Sequence, residues 1–344
     1  MKNVTIGEIF GHAKGGEVGI EIEMEAVNEL PVVASTHWTT VKEGSLRNGR
    51  EYVSKVPLPL DTKTKHLENL FKKIEVYGSK VIKDSHRTSV HTHNNITPFT
   101  ALQVWTSITA YYLVENILFS EYFGEERIGN LFCLRLKDAD YLINDYVKDL
   151  KDYKPFSGFD PETHKYAALN VAPIREKGSL EIRGMKGLAD AKSIDIFSST
   201  SYLMFKKASE KWESPSALLD DYYHQGWKYI VSCLFEDPVK KILLNCRNGE
   251  DLMEENAIRL LGYAYLVPWL TYQKRVNETF LAKPKPKKNP YQILADEVAA
   301  EPRAIDWAQR VNQINWFGPE LAAPKPRKPR AVKVANNPPV NDQF

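Results

Sequence analysis

Residues 18–25 (VGIEIEME) alternate between apolar side chains and glycine or glutamate. On a β-strand, successive side chains point to opposite faces of the sheet. The first face then carries Val18, Ile20, Ile22 and Met24, and the second carries Gly19, Glu21, Glu23 and Glu25. The segment therefore predicts a strand with one buried face and one polar face.

The three glutamates on the second face repel one another. Alternate side chains along a strand lie roughly 6.8 Å apart, so each neighbouring carboxylate pair costs about 2 kcal/mol at an effective dielectric constant of about 20. Two explanations remain open at this point. Water screens the repulsion if the face is solvated, and a divalent cation removes it if the carboxylates are its ligands.

The composition limits the class of protein. With 344 residues, 43% of them hydrophobic and 11% aromatic, the chain can form one large domain or two ordinary ones. Its three cysteines are scattered without a zinc-binding spacing, which predicts a reducing, cytoplasmic compartment. The first twenty residues lack the apolar block of a signal peptide. The apolar stretch 99–119 contains Gln103, Glu115 and Asn116, so it predicts a buried helix and no membrane span.

Hydrophobic periodicity divides the chain into a strand-rich part and a helical part. Strands are predicted at 18–25, 38–41, 51–54, 80–83, 87–93, 166–172 and 179–184, with a turn at Asn48-Gly49 between the second and the third. Helices are predicted between Asp61 and Gly78 and at 98–122, 139–150, 190–212, 216–235, 238–246 and 250–281. We predict an α+β fold in which the helical second half packs on the strand-rich body.

The predicted main domain covers residues 1–281, strand-rich over 16–187 and helical over 190–281. A basic Pro-rich linker (282–290), a short helical segment (291–321) and a disordered basic tail (322–344) are predicted to follow it. The excess positive charge lies in the two basic segments, so the main domain is mildly acidic. The basic segments are either solvated or bind a nucleic acid or another anionic partner.

Four groups of acidic or histidine residues fall in the strand-rich part. They are the glutamates of 18–25, then Glu51, then His91-Thr92-His93, and then Glu181-Ile182-Arg183. Each has an ordinary explanation as a surface carboxylate, a chance histidine pair or a weak surface ion pair. Together they describe several antiparallel strands that offer polar groups to one concave face, while their apolar alternates pack on helices. Such a face can hold metal ions and a polyphosphate.

The order GIEIE, GSLRNGREYVS, HTH, KYAALN and SLEIRG along residues 16–190 resembles the amidoligases, carboxylate–amine ligases of the glutamine synthetase and glutamate–cysteine ligase superfamily. The resemblance implies a curved antiparallel sheet that forms an open funnel backed by helices. ATP and two or more magnesium ions would lie against this sheet. Two positions depart from the family pattern: Glu43 stands where an aspartate is usual, and Thr92 stands where an aliphatic residue is usual.

The resemblance also implies a role for each matching residue. The implied metal ligands are Glu21, Glu23, Glu51, His91 and Glu181. The implied ATP-binding residues are His93, Arg127, Lys165, Asn170 and Arg183. Arg183 and Arg127 would also stabilise the charge that develops during phosphoryl transfer, and Glu25 or Glu43 would deprotonate the attacking amine.

The function that follows is an ATP-dependent ligase, with Mg²⁺ or Mn²⁺ as cofactor. It would join a small-molecule or peptide carboxylate to an amine through an acyl phosphate. The sequence contains neither a P-loop nor a dinucleotide-binding glycine motif, in keeping with ATP held by a sheet and metals. Two alternatives remain open: a non-catalytic nucleic-acid-associated protein on a degenerate ligase fold, and a phosphotransferase on the same fold. The sequence identifies neither the substrates nor the oligomeric state.

Overall fold

Six strands form one antiparallel sheet in the computed structural model, which describes residues 2–12, 15–83 and 85–281. The strands are β1 (Val18–Glu25), β2 (Trp38–Val41), β3 (Gly49–Ser54), β4 (Val90–Asn95), β5 (Leu169–Asn170) and β6 (Ser179–Ile182). Their order across the sheet is β2-β3-β1-β4-β6-β5, so β2 and β5 are its edges and the sheet does not close into a barrel.

The strand β1 shows the predicted alternation. Val18, Ile20 and Ile22 are fully buried on one face, whereas Glu21 and Glu23 are partly exposed on the other. The same separation extends across the sheet, because antiparallel partners directly opposite each other point to the same face. The sheet therefore has an apolar face and a polar face.

Helices cover the apolar face and make up most of the second half of the described chain. They are α1 (Ile6–Phe10), α2 (Lys63–Val76), α3 (Ala101–Leu118), α4 (Tyr141–Asp152), α5 (Pro161–His164), α6 (Pro173–Lys177), α7 (Ala191–Lys211), α8 (Pro215–Gln225), α9 (Trp227–Leu234), α10 (Val239–Leu244), α11 (Gly249–Ala264) and α12 (Trp269–Leu281). The helix α7 packs against β1 and β4 on one side and against α2 and α3 on the other. The α+β prediction, with an open antiparallel sheet backed by helices, is confirmed.

The helix α3 is surrounded by the rest of the fold. It begins at a capping box, in which the Thr100 hydroxyl accepts the Gln103 N–H and the Gln103 side chain accepts the Thr100 N–H. Every residue of α3 except Gln103 is buried. After Leu118 the chain continues as a π-helical turn, Phe119–Phe123, which ends at Gly124 with a φ of 107°. Buried all round, α3 is the predicted core helix.

One buried carboxylate of α3 lies in an apolar setting. The Glu115 Oε2 atom accepts a 2.7 Å hydrogen bond from the Leu136 N–H, and Oε1 has no hydrogen-bond partner among the described residues. Burial raises the pKa of Glu115 to about 8, although this hydrogen bond lowers it. The side chain is therefore a protonated, neutral acid at neutral pH.

The hairpin between β2 and β3 differs from the prediction. A two-residue turn at Asn48-Gly49 was expected, but β2 ends at Val41 and β3 begins at Gly49, so the connection comprises residues 42–48. Asn48 adopts a left-handed conformation with a φ of 51°. Its side-chain amide donates to the carbonyl groups of residues 26, 27 and 28. The asparagine thus ties the connection to the chain that follows β1.

Several other strands and helices differ in extent from their predictions. The predicted strand 80–83 supplies only a bridge between Val81 and Ala26, the predicted strand 166–172 is reduced to β5, and the predicted strand 87–93 begins later, at β4. The predicted helix 216–235 is interrupted at Gly226, whose φ is 81°. The predicted helix 250–281 is interrupted before Pro268, which cannot continue an α-helix.

The described helices include none that is long and apolar enough to cross a membrane. The predicted linker (282–290), helical segment (291–321) and basic tail (322–344) lie outside the described residues, and so does the predicted contact with an anionic partner. Residues 190–281 belong to the same compact unit as the strand-rich part.

Candidate functional site

Four neighbouring strands direct acidic, histidine and arginine side chains onto the polar face of the sheet. In the pairing register, Glu23 of β1 lies opposite Glu51 of β3, and Glu21 of β1 lies opposite His91 of β4. His93 of β4 in turn lies opposite Glu181 of β6. The sheet therefore brings together groups that are separated by up to 160 positions in the sequence.

Two carboxylates and two imidazoles form the centre of this group, which we call the Glu–His cluster (Glu21, His91, His93 and Glu181). Glu21 Oε1 lies 2.9 Å from His93 Nε2, and Glu21 Oε2 lies 3.3 Å from His91 Nδ1. Glu181 Oε1 lies 3.7 Å from His91 Nδ1 and 4.0 Å from His93 Nε2. Each carboxylate is therefore in reach of both rings.

Three of these side chains have the geometry of a metal site. One ligand atom each from Glu21, His93 and Glu181 lies within 4.8 Å of the other two. Carboxylate oxygens are ligands of Mg²⁺ and Mn²⁺, whereas Mg²⁺ is rarely bound by imidazole nitrogen. The two carboxylates thus suit Mg²⁺ or Mn²⁺, and the imidazole is a donor that transition ions accept more readily than Mg²⁺ does.

The cluster favours ionised carboxylates. Burial raises the pKa of Glu21, but hydrogen bonds from His91 and His93 outweigh it and hold the pKa below its ordinary value. Burial likewise opposes ionisation of Glu181, and the charges of His93 and Arg183 again bring its pKa below the ordinary value. Both carboxylates are therefore available as charged ligands at neutral pH.

The pKa of Glu51 is shifted in the opposite direction to those of Glu21 and Glu181. Burial and the charges of Glu21 and Glu23 raise the pKa of Glu51 to about 7. Its carboxylate has no hydrogen bond or ion pair to the described residues. The neighbouring carboxylates therefore oppose ionisation of Glu51, and a bound cation would relieve that repulsion.

Ser89 is a member of the site that sequence reasoning missed. Its hydroxyl donates a 2.5 Å hydrogen bond to Glu23 Oε2 and lies 2.8 Å from His91 Nε2. Ser89 therefore orients both the second glutamate of β1 and the first histidine of β4. The sequence did indicate that Ser89 belongs with the histidines, because Ser89, His91 and His93 are spaced two apart and so share a strand face.

The two predicted arginines meet at the end of β6. Arg183 Nη1 donates a 2.5 Å hydrogen bond to Glu181 Oε1, and Arg127 Nη2 donates to the Arg183 carbonyl at 2.9 Å. The Nε atoms of both arginines are buried and have no hydrogen-bond partner among the described residues. Gly184 follows directly, and a Cβ there would lie 2.5 Å from the Phe123 ring, so no larger residue fits beside this arginine pair.

Asn170 belongs to the site in a supporting position. Its Nδ2 donates to Glu181 Oε2 at 2.7 Å, and its Oδ1 accepts the Ala172 N–H at 3.0 Å. Asn170 therefore holds Glu181 and the chain after β5, and its contact with a nucleotide stays a prediction. Glu181 is thus fixed by Asn170 on one oxygen and by Arg183 on the other.

Two predicted site residues, Glu25 and Lys165, make their described contacts outside the Glu–His cluster. Glu25 is 5% exposed, and its carboxylate accepts hydrogen bonds from the Arg47 N–H at 2.5 Å and the Ser85 hydroxyl at 2.6 Å. It therefore joins two loops, and its role as the base stays a prediction. Lys165 forms an ion pair with Glu162 and lies 5.1 Å from the centre of the Tyr166 ring, so its described contacts lie outside the cluster.

Glu43 was the alternative to Glu25 as the base. Its Oε1 accepts the Ser45 N–H at 3.1 Å, within the connection between β2 and β3. Its charge also contributes to the raised pKa of Glu51. Glu43 therefore lies near the acidic end of the polar face, in a local turn contact.

A cavity of about 420 Å³ borders the Glu–His cluster. Glu21 and His93 form part of its wall, together with Gly19, whose missing side chain leaves room beside His93. Lys55 and Lys177 also line it. The volume is in the range of small-molecule sites, so a ligand in this cavity would have direct access to two of the three metal-site residues.

Comparison of the chain with models of known protein families and with curated proteins gave no match. The candidate site is consequently defined by its own geometry. Its centre is the candidate metal-binding triad of Glu21, His93 and Glu181. A second acidic pair at Glu23 and Glu51, two adjoining arginines and a cavity surround this triad.

Proposed function

We propose that this protein is an ATP-dependent carboxylate–amine ligase that uses a divalent metal ion, Mg²⁺ or Mn²⁺. The observation that carries the proposal is the register of β3, β1, β4 and β6, which gathers Glu51, Glu21, His93 and Glu181 on one face. This is the arrangement that the resemblance to the amidoligases implies.

The chemistry of amide formation accounts for these groups. A carboxylate is a poor electrophile because its leaving group would be oxide. Transfer of the γ-phosphoryl group of ATP to the carboxylate gives an acyl phosphate and ADP, and attack by an amine then forms the amide and releases phosphate. The first step spreads negative charge over the phosphoryl oxygens and so needs fixed positive charge nearby.

The residues divide that work between them. Glu21, His93 and Glu181 would hold a metal ion, which supplies positive charge next to the phosphate oxygens when bound. Arg183 and Arg127 add guanidinium charge at the end of β6. The cavity beside Glu21 and His93 would take the substrate that carries the reacting carboxylate.

The first test measures metal binding apart from catalysis. Mn²⁺ should raise the unfolding temperature of the protein, because an ion at 100 times its dissociation constant stabilises the folded state by about 3 kcal/mol. The variant Glu21→Gln should lose this shift. The matched control Glu68→Gln changes an exposed glutamate of α2 and should keep it. Equal Mn²⁺ shifts in all three proteins would refute the metal assignment.

The second test measures the reaction. The protein is incubated with ATP, Mn²⁺ or Mg²⁺, and mixtures of amino acids and polyamines, and the products are analysed by mass spectrometry. ADP, phosphate and a new amide are expected, and Glu23→Gln should abolish ATP turnover with the fold intact. A phosphorylated product would favour the phosphotransferase. Binding to DNA without any ATP turnover would favour the non-catalytic alternative.

A further inference from the structure

A second cavity lies at the β2 edge of the sheet. It encloses about 580 Å³ between residues 33–38, which lead into β2, and the exposed side of α2. None of its lining residues belongs to the Glu–His cluster or to the cavity beside it. We call it the edge cleft, and the proposed ligase chemistry gives it no role.

The lining of the edge cleft separates into an apolar floor and a basic rim. The floor consists of the buried Val33, Trp38 and Leu70, and Val76 and Tyr77 line the cleft with exposed side chains. The rim carries two histidines and two lysines, His37, His66, Lys72 and Lys73, with hydroxyl and amide groups from Ser35, Thr36 and Asn69. The lining includes neither aspartate nor glutamate, so the cleft combines apolar surface with uncompensated positive charge.

The two lysines of the rim have no acidic partner among residues 2–12, 15–83 and 85–281. Neither Lys72 nor Lys73 forms an ion pair with a described residue, although many of the other described lysines do. The rings of His37 and His66 stack with their centroids 3.7 Å apart. Burial, and to a smaller extent the charges of His37 and Lys65, lowers the pKa of His66, so the positive charge of the cleft rests on Lys72 and Lys73.

The walls of the edge cleft are held in place by the fold. The indole Nε1 of Trp38 donates a 3.1 Å hydrogen bond to the His66 carbonyl and so joins the start of β2 to α2. On the other side, the Val33 N–H donates to the Thr40 hydroxyl at 2.7 Å. The cleft is therefore a formed cavity between fixed elements, as small-molecule sites usually are.

From this combination we infer that the edge cleft binds a small organic anion, with an aromatic or aliphatic body on the floor at Trp38 and Leu70 and an anionic group at Lys72 and Lys73. The volume of about 580 Å³ suits a ligand of that kind. Apolar contact supplies most of the binding free energy, since exposed lysines contribute little each. The charge selects the anion over a neutral molecule of the same shape.

The experiment uses phenylacetate as the probe and phenylacetamide as its neutral counterpart. Binding is followed by NMR through the indole N–H signal of Trp38, which is assigned by its absence in Trp38→Phe. Phenylacetate should shift this signal saturably in the millimolar range, and phenylacetamide should bind at least threefold more weakly. Failure of any saturable shift, or equal binding of the two probes, would overturn the inference.

Two matched double variants locate the charge. Lys72→Gln with Lys73→Gln removes the basic rim and should weaken phenylacetate binding about threefold to tenfold. Lys65→Gln with Lys80→Gln removes the same charge from nearby residues that do not line the cleft, and its affinity should stay within twofold of the unmodified protein. Equal weakening in both doubles would show a general charge effect and would contradict a built anion site.

Discussion

The buried carboxyl group of Glu115 leads to a sharp prediction about stability and pH. Its pKa is raised from 4.5 to about 8 by burial in the folded protein. The folded state therefore holds this proton over an interval in which the unfolded chain has lost it. The resulting stabilisation is fully present below the unfolded pKa and is lost as the pH rises through the folded pKa.

The magnitude follows from the two pKa values. One pKa unit corresponds to about 1.4 kcal/mol, so the contribution of Glu115 to the free energy of unfolding falls by about 2 kcal/mol between pH 6 and pH 8. The variant Glu115→Gln has no proton to lose, and its amide oxygen can still accept the Leu136 N–H. The pH dependence that belongs to Glu115 should therefore disappear in the variant.

The measurement is urea unfolding of both proteins at pH 6 and at pH 8. The unmodified protein should lose about 2 kcal/mol more than Glu115→Gln over this interval. Every other titrating group is shared by the two proteins and cancels in the comparison. The exposed-site variant Glu68→Gln serves as the control and should follow the unmodified protein. Equal losses in the unmodified protein and Glu115→Gln would refute the assignment of a protonated acid.

Three further predictions concern the framework of the site, and each is measured by urea unfolding. Gly178→Ala should lower the free energy of unfolding by about 1–3 kcal/mol, because Gly178 has a φ of 67° and a Cβ there would collide with the Thr97 side chain. An unchanged free energy of unfolding would contradict this. Lys63→Met should cost about 3 kcal/mol by leaving Asp195 without its buried partner, and the double variant with Asp195→Leu should recover part of that loss; no recovery would argue against a paired ion. Ser201→Ala should cost about 1–2 kcal/mol through the lost hydrogen bond to the buried Asn94, and a change below about 0.3 kcal/mol would show that this contact contributes nothing.

The shared face of the site could be predicted from the sequence, because strand side chains repeat every two residues. That period alone places Glu21 with Glu23, His91 with His93, and Glu181 with Arg183. The choice of metal ligands could not be predicted in the same way, since it depends on strand register. His93 lies opposite Glu181 and joins it and Glu21 in the candidate triad, whereas the sequence alone did not decide which of His91 and His93 contacts a metal.

The roles of Glu25 and Asn170 depend on contacts that no local pattern reveals. Glu25 continues the alternation of β1, yet its carboxylate is held by Arg47 and Ser85, which come from two loops distant in sequence. Asn170 lies on the short strand β5, and only the pairing of β5 with β6 brings its amide to Glu181. Side chains at strand ends thus acquire their partners from the tertiary fold.

The position of Arg127 depends on the number of residues in the π-helical turn at Phe119–Phe123. Loss of one residue would convert the turn to regular α-helix, and the chain beyond it would rotate by about 100° and retract by about 1.5 Å. Arg127 would then be carried away from the Arg183 carbonyl that it now contacts. A homologue that keeps both arginines should accordingly tolerate substitution of the exposed Glu121 but neither insertions nor deletions in this turn.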